Sequence, residues 1–210
     1  MKRKVWLAVI VMAAVVTNVN AGLVTLALSE VFEGTVDPSG PAPWITAVFD
    51  DEDSAGSVKL TISASLPDLD EKVGALYLNS DVNPDDLNFS DPIAESGSFG
   101  YPTVSQGLNA YKAGGDGYYD IMIDFITDDA QAFNNFDSVS YMITAPGITA
   151  ASFNVLSNPG KGGNTEPFLA AAHIQGLGSS NAFSSWITVP EPATMALLTM
   201  GSVMCYITRK

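Results

Sequence analysis

Ser57-Val58-Lys59-Leu60-Thr61-Ile62-Ser63 alternates without a break. Val58, Leu60 and Ile62 fall on one face of an extended chain, Lys59 and Thr61 on the other. Strict period two marks a strand with one buried face, because successive side chains of a strand point to opposite sides. The pattern returns at Tyr119, Ile121, Ile123 and Phe125, set against Asp120, Met122 and Asp124. It returns again at Val139, Tyr141 and Ile143, set against Ser138, Ser140 and Met142. Further strands are expected over 26–34, 44–49, 73–78, 153–156, 168–175 and 183–187. Turn formers separate them, among them Asp37-Pro38-Ser39-Gly40, Asn83-Pro84-Asp85-Asp86, Gly114-Gly115-Asp116-Gly117 and Asn158-Pro159-Gly160. No long amphipathic helix and no internal repeat interrupts the series. The expected fold is all-β: an antiparallel β-sandwich, jelly-roll-like, of roughly nine or ten strands around one core.

Composition narrows the function classes. The chain has 210 residues, 23 acidic and 9 basic, for a net charge of −14. The apolar content is too high for a disordered chain. One cysteine and one histidine exclude a disulfide framework and most zinc clusters. The acidic balance argues against nucleic acid as a partner, since phosphates need a basic face.

Both ends differ from the middle. Lys2, Arg3 and Lys4 precede an apolar run from Val5 to Val16, and Val19-Asn20-Ala21 supplies small residues before a cleavage point. Residues 1–21 therefore read as a secretory signal peptide cut after Ala21. An apolar core of 12 residues is short of the ~20 that a membrane span needs. At the other end, residues 189–210 open with Val189-Pro190-Glu191-Pro192 and continue through 15 uncharged residues, Ala193 to Ile207, before Arg209 and Lys210. The prolines confine any helix to the residues after Pro192. At ~1.5 Å per residue the segment reaches roughly 22 Å, short of the ~30 Å hydrocarbon layer. It is a brief transmembrane helix held by the basic pair on the cytoplasmic side. Between the ends, 22–188 form one extracytoplasmic domain. It carries four lysines against 22 acids, a balance of −18, which keeps chains apart in solution.

Pro190-Glu191-Pro192, an apolar segment and a terminal Arg-Lys, in that order and behind a signal peptide, resemble the PEP-CTERM sorting signal of Gram-negative bacteria. The resemblance covers about a tenth of the chain. It implies export, transient anchoring in the inner membrane and processing by an exosortase, with Pro190, Glu191 and Pro192 as the recognition residues. It also implies an exopolysaccharide- or biofilm-forming setting, with the cell surface or extracellular matrix as destination. The stretch from Gly114 to Phe125 is similar to stretches in ectodomains of such proteins, and no activity follows from that likeness.

Chemistry is sparse. His173, the lone histidine, shares a strand face with Ala171 and Gln175, and Cys205 lies in the apolar tail, so no Cys–His pair forms. No Gly-x-Ser-x-Gly elbow occurs. Asp120 and Asp124 would stand ~13 Å apart at ~3.3 Å per residue, beyond the ~5–9.5 Å of glycosidase pairs, and read as a solvated face. No catalytic residue is expected, and a secreted glycoside hydrolase is the weakest of the readings. Asp81, Asn83 and Asp85 place oxygens at alternate positions, as calcium loops do. Asp86 and Pro92 then stand where an EF-hand needs Gly and Glu. Asp51-Glu52-Asp53-Ser54-Ala55-Gly56 has the Gly but lacks later ligands. Both loops stay calcium candidates, and no other cofactor is expected. Trp44, Tyr101, Tyr111, Tyr118 and Trp186 are candidates for stacking on sugar rings, with Tyr118 chosen because it points away from the Tyr119 face. The expected role is structural or adhesive within an exopolysaccharide layer. The alternative is a carbohydrate-binding module, calcium-assisted or not.

Overall fold

The computed structural model describes residues 22–51, 55–159 and 167–190. The expected signal peptide with Ala21, residues 52–54 of the second calcium candidate, and the tail with its expected helix, from Glu191 onward, lie outside them. Twelve strands run in order: β1 (Leu23–Leu28), β2 (Glu30–Glu33), β3 (Ile45–Asp50), β4 (Ser57–Ala64), β5 (Lys72–Leu78), β6 (Asn88–Phe89), β7 (Ile93–Ser96), β8 (Thr103–Lys112), β9 (Tyr118–Asp124), β10 (Ser138–Thr144), β11 (Ala170–Leu177) and β12 (Phe183–Thr188). They form two antiparallel sheets. The first has the order β1-β3-β4-β10-β6, with β7 also on β10; the second has the order β2-β12-β11-β5-β9-β8. The expected sandwich is present.

One core lies between the sheets. Val58, Leu60 and Ile62 of β4 enter it from one side and Leu76, Ile121 and Ile174 from the other, all fully buried. Each such side chain contributes about 1.5–3 kcal/mol by leaving water. The register of β4 against β10 sets Leu60 opposite Tyr141 and Ile62 opposite Val139, so both alternating segments turn the same face inward.

Three expectations are corrected. The stretch 26–34 is two strands in two sheets: β1 pairs with β3, β2 pairs with β12, and the chain crosses at Ser29, whose N–H donates to Thr188 O at 2.9 Å. The stretch 153–156 is no strand. Phe153 closes a 3-10 turn, Ala150–Phe153, capped reciprocally by Thr149 and Ser152, and stacks on Phe49 at 4.2 Å. Tyr119 does not share the face of Ile121 and Ile123. β9 pairs with β5 only as far as Ile121 opposite Leu78. Beyond that point Tyr119 packs on Tyr77, on the outer side of the second sheet.

That outer side carries a second, smaller cluster. Ala75 and Ala171 leave room there for Tyr77, Tyr119 and Trp186. The β8–β9 turn folds over them: the Gly115 N–H donates to Glu33 Oε2 at 2.6 Å. The buried Asp116 carboxylate accepts the Tyr119 hydroxyl at 2.7 Å and the Ser157 hydroxyl at 3.1 Å. Burial, reinforced by Asp116, pushes the Tyr119 phenol far above its ordinary range, so it remains a donor.

Candidate functional site

Next to this cluster, toward the start of β12, the outer face of the second sheet opens into a depression of about 450 Å³. Three strands build it. Lys72 comes from the start of β5, His173 and Gln175 from β11, Phe183 and Ser184 from the start of β12; Asp70, Asp129 and Asn181 come from loops. The alternation of β11 explains its part: Ala170, Ala172 and Ile174 go to the main core, so His173 and Gln175 must face out.

Two glycines shape the floor and rim. The β11–β5 register skips between His173 and Ile174, which leaves Gly74 as an extra residue on β5. A Cβ at Gly74 would sit 3.0 Å from Gln175 Nε2 and 3.3 Å from His173 Nδ1, so the missing side chain makes space for that pair. Gly176 has φ +77° and lies against the backbone of Asp70; a Cβ there would reach Asp70 O at 2.0 Å. Only glycine permits both the left-handed conformation and that approach.

The polar groups lining the depression are mostly unspent. The Lys72 ammonium, largely shielded, is paired with the exposed Asp129 carboxylate. An ammonium has three protons, and among the described residues the other two have no acceptor. Gln175 Nε2 stands 3.3 Å from His173 Nδ1. With that amide donating, the imidazole proton sits on Nε2 and the Gln175 carbonyl oxygen stays free. The side chains of Asp70, Asn181 and Ser184 likewise make no hydrogen bond to the described residues. The His173 ring stacks on Trp186, and Phe183 is exposed. Burial holds the His173 pKa below its ordinary value, with the Glu33 carboxylate pulling weakly the other way, so the ring is neutral at pH 7.

The residues singled out from sequence scatter over the molecule. His173 and Trp186 come together. Tyr118 is partly exposed but lies at the opposite end of the sheet, in register with Lys112 and bridged to Asn158. Tyr101 is exposed beside Phe99, Tyr111 is half-buried in the outer cluster, and Trp44 belongs to the main core, its indole N–H donating to Gly40 O at 3.3 Å. Asp120 is buried, not solvated: its carboxylate accepts the Asn109 N–H at 2.7 Å at the irregular stretch of β8, while Asp124 is exposed. Asp81 and Asp85 are exposed, and Asn83 Oδ1 accepts the Asp85 N–H at 3.3 Å, capping the turn Pro84–Asp86. Among the described residues no three His, Cys, Asp or Glu side chains gather as a metal site. Asp51 ties the ends of three segments: its carboxylate accepts the N–H groups of Gly22 and of Ala150, the latter at 2.8 Å. Sequence reading missed Asp70, Lys72, Asn181, Phe183 and Ser184. Gln175 beside His173 on one strand face was the available signal.

At its far end β12 runs directly into the tail. Thr188 is buried, its hydroxyl donating to Ala170 O at 2.7 Å; Val189 packs against the main core, and Pro190 is half-buried. The family model for the PEP-CTERM protein-sorting motif matches residues 188–210, which contain Pro190, Glu191 and Pro192. The chain is thus an exported protein sorted by an exosortase, a membrane protein, and its C-terminal signal anchors it in the membrane before processing. No curated protein and no solved structure matches the chain.

Proposed function

We propose that the β-sandwich is a structural or adhesive component of the cell surface or extracellular matrix, within or upon an exopolysaccharide layer, and that it catalyses no reaction. The observation that carries this reading is the sorting motif, joined without a spacer to a compact sandwich. The bonding of His173 supports the non-catalytic part. Its hydrogen bond is to an amide and its ring is packed on an indole, whereas a general base is normally oriented by a carboxylate or a nucleophile. The experiment is fractionation of a culture. Wild-type cells should hold the protein in the polysaccharide-bound fraction, and cells unable to make the polysaccharide should release it to the medium. Equal release from both would end the proposal, and so would hydrolysis of the isolated polysaccharide by the purified protein.

A second reading, that the sandwich is a carbohydrate-binding module, is favoured by the depression at His173. Retention on immobilised glycans with and without a calcium chelator tests it and decides whether the loop of Asp81, Asn83 and Asp85 assists.

A further inference from the structure

We infer that the depression lined by Lys72, His173, Gln175, Asn181 and Ser184 binds a neutral saccharide, one or two pyranose units of a longer chain. The inference rests on the carbohydrate-binding reading and adds the site and the ligand's charge.

At about 450 Å³ the depression falls within the ~300–1,000 Å³ of small-molecule sites. Its free groups include donors (two Lys72 protons, His173 Nε2–H) and acceptors (the Asp70 carboxylate, the Gln175 carbonyl oxygen). Asn181 and Ser184 can serve as either. Two rings, His173 and Phe183, border the same space. An anion would meet Asp70 and Asp129 inside a domain of net charge −18. A bare cation would meet the Lys72 ammonium. An apolar ligand would strip water from the polar groups without replacing their hydrogen bonds. A pyranose answers all of these: each hydroxyl both donates and accepts, and the ring's C–H face can lie on an aromatic surface.

Position agrees. β12 enters the sheet at Phe183, on the rim of the depression, and leaves it at Thr188, where the sorting motif starts. The strand spans ~17 Å at ~3.3 Å per residue. The depression is therefore at the end of the sheet remote from Thr188 and the start of the sorting motif. Tyr118 lies at the tail end, because β9 begins where β5 and β12 finish.

The test uses the exported protein, with affinity electrophoresis in neutral glucan, xylan, mannan and galactomannan, and in anionic polygalacturonate. Retardation is expected in at least one neutral glycan. The Gln175→Ala/Ser184→Ala variant should bind its oligosaccharide roughly tenfold more weakly by calorimetry, the effect of about one lost hydrogen bond. Tyr118→Ala should bind as wild type. Asn181 is exposed in a loop and has φ +54°. Asn181→Gly removes the side chain while keeping that left-handed conformation unstrained, and as a second variant it should weaken binding in the same direction. Unchanged affinity in these variants, or loss only in Tyr118→Ala, overturns the site and leaves the carbohydrate-binding reading standing. Retardation by polygalacturonate alone overturns the neutral ligand. No retardation in any glycan overturns both the inference and the reading beneath it.

Discussion

The imidazole of His173 lies against the indole of Trp186, ring centroids 4.6 Å apart and planes 21° apart. The two residues face each other across the β11–β12 ladder, so the stack is fixed by strand register. A neutral ring suits that position, because protonation would place a charge in a half-buried contact. The single histidine makes the proton NMR titration unambiguous. Its midpoint should lie below 6.5. Since the native ring binds a proton less readily than the unfolded one, the stability it contributes is complete above pH 6.5 and is lost as the pH falls through the native pKa. His173→Gln should flatten that part of the stability profile. A midpoint at or above 6.5 would contradict the stack's shielding.

Gly176 and Gly147 separate two causes of the same defect. Both have positive φ, +77° and +73°, but a Cβ at Gly147 meets nothing within 4 Å, while one at Gly176 meets Asp70 O. Gly147→Ala should cost only the left-handed strain, about 1 kcal/mol. Gly176→Ala adds the overlap and should cost about 2–4 kcal/mol, read by urea unfolding. Equal costs would mean that the Asp70 loop yields freely.

These positions also show how far sequence reached. Strands whose one face is core, such as β4 and β10, were legible because burial writes period two into the residues. The long edge strand β8 was not: Ser105, Gln106, Gly107 and Asn109 are half-buried and polar, so no alternation survives. The crossing at Ser29 left only a change of phase, with Leu26 and Leu28 inward before it and Val31 after it. The depression was illegible for a different reason. Lys72 is far in the chain from the paired Gln175 and Ser184, and meets them only because β5 lies beside β11 in the sheet.

Asp51 joins Gly22 at the start of β1 to Ala150 at the start of the 3-10 turn. Asp51→Ala should destabilise the domain by about 2–3 kcal/mol, the loss of charge-assisted hydrogen bonds at a partly exposed site. Cleavage after Ala21 would turn the Gly22 amide into an ammonium beside the same carboxylate. Sequencing of the exported protein should then begin at Gly22, and the Asp51→Ala effect should grow at low salt.

The Tyr141 hydroxyl is buried and has no hydrogen-bond partner among the described residues, and burial pushes its pKa far above the ordinary range. Tyr141→Phe removes an unsatisfied group without changing the ring that packs edge-on to Phe89. Stability should be unchanged or higher by about 1 kcal/mol. A loss of more than that in thermal unfolding would reveal a partner such as an ordered water.

Thr188 is locked into the sheet one position before Val189 joins the core. A cut before Thr188 would take a central strand apart, so the processed protein should end at or beyond Pro190. Mass spectrometry of the C-terminus, in cells with and without the sorting enzyme, checks this. A mature end inside β12, or an intact Lys210 in both strains, would contradict it.

β12 has β2 on one side and β11 on the other, the depression at its head and the tether at its foot. Were the proposed site to hold a glycan before the tail is processed, tension between that glycan and the bilayer would run lengthwise down this strand. Antiparallel ladder bonds lie across such a pull, so they would have to give way in shear, several at once, instead of unzipping in turn. The line from the depression to the sorting motif is thus the mechanically stronger direction of the sheet for as long as the chain stays anchored.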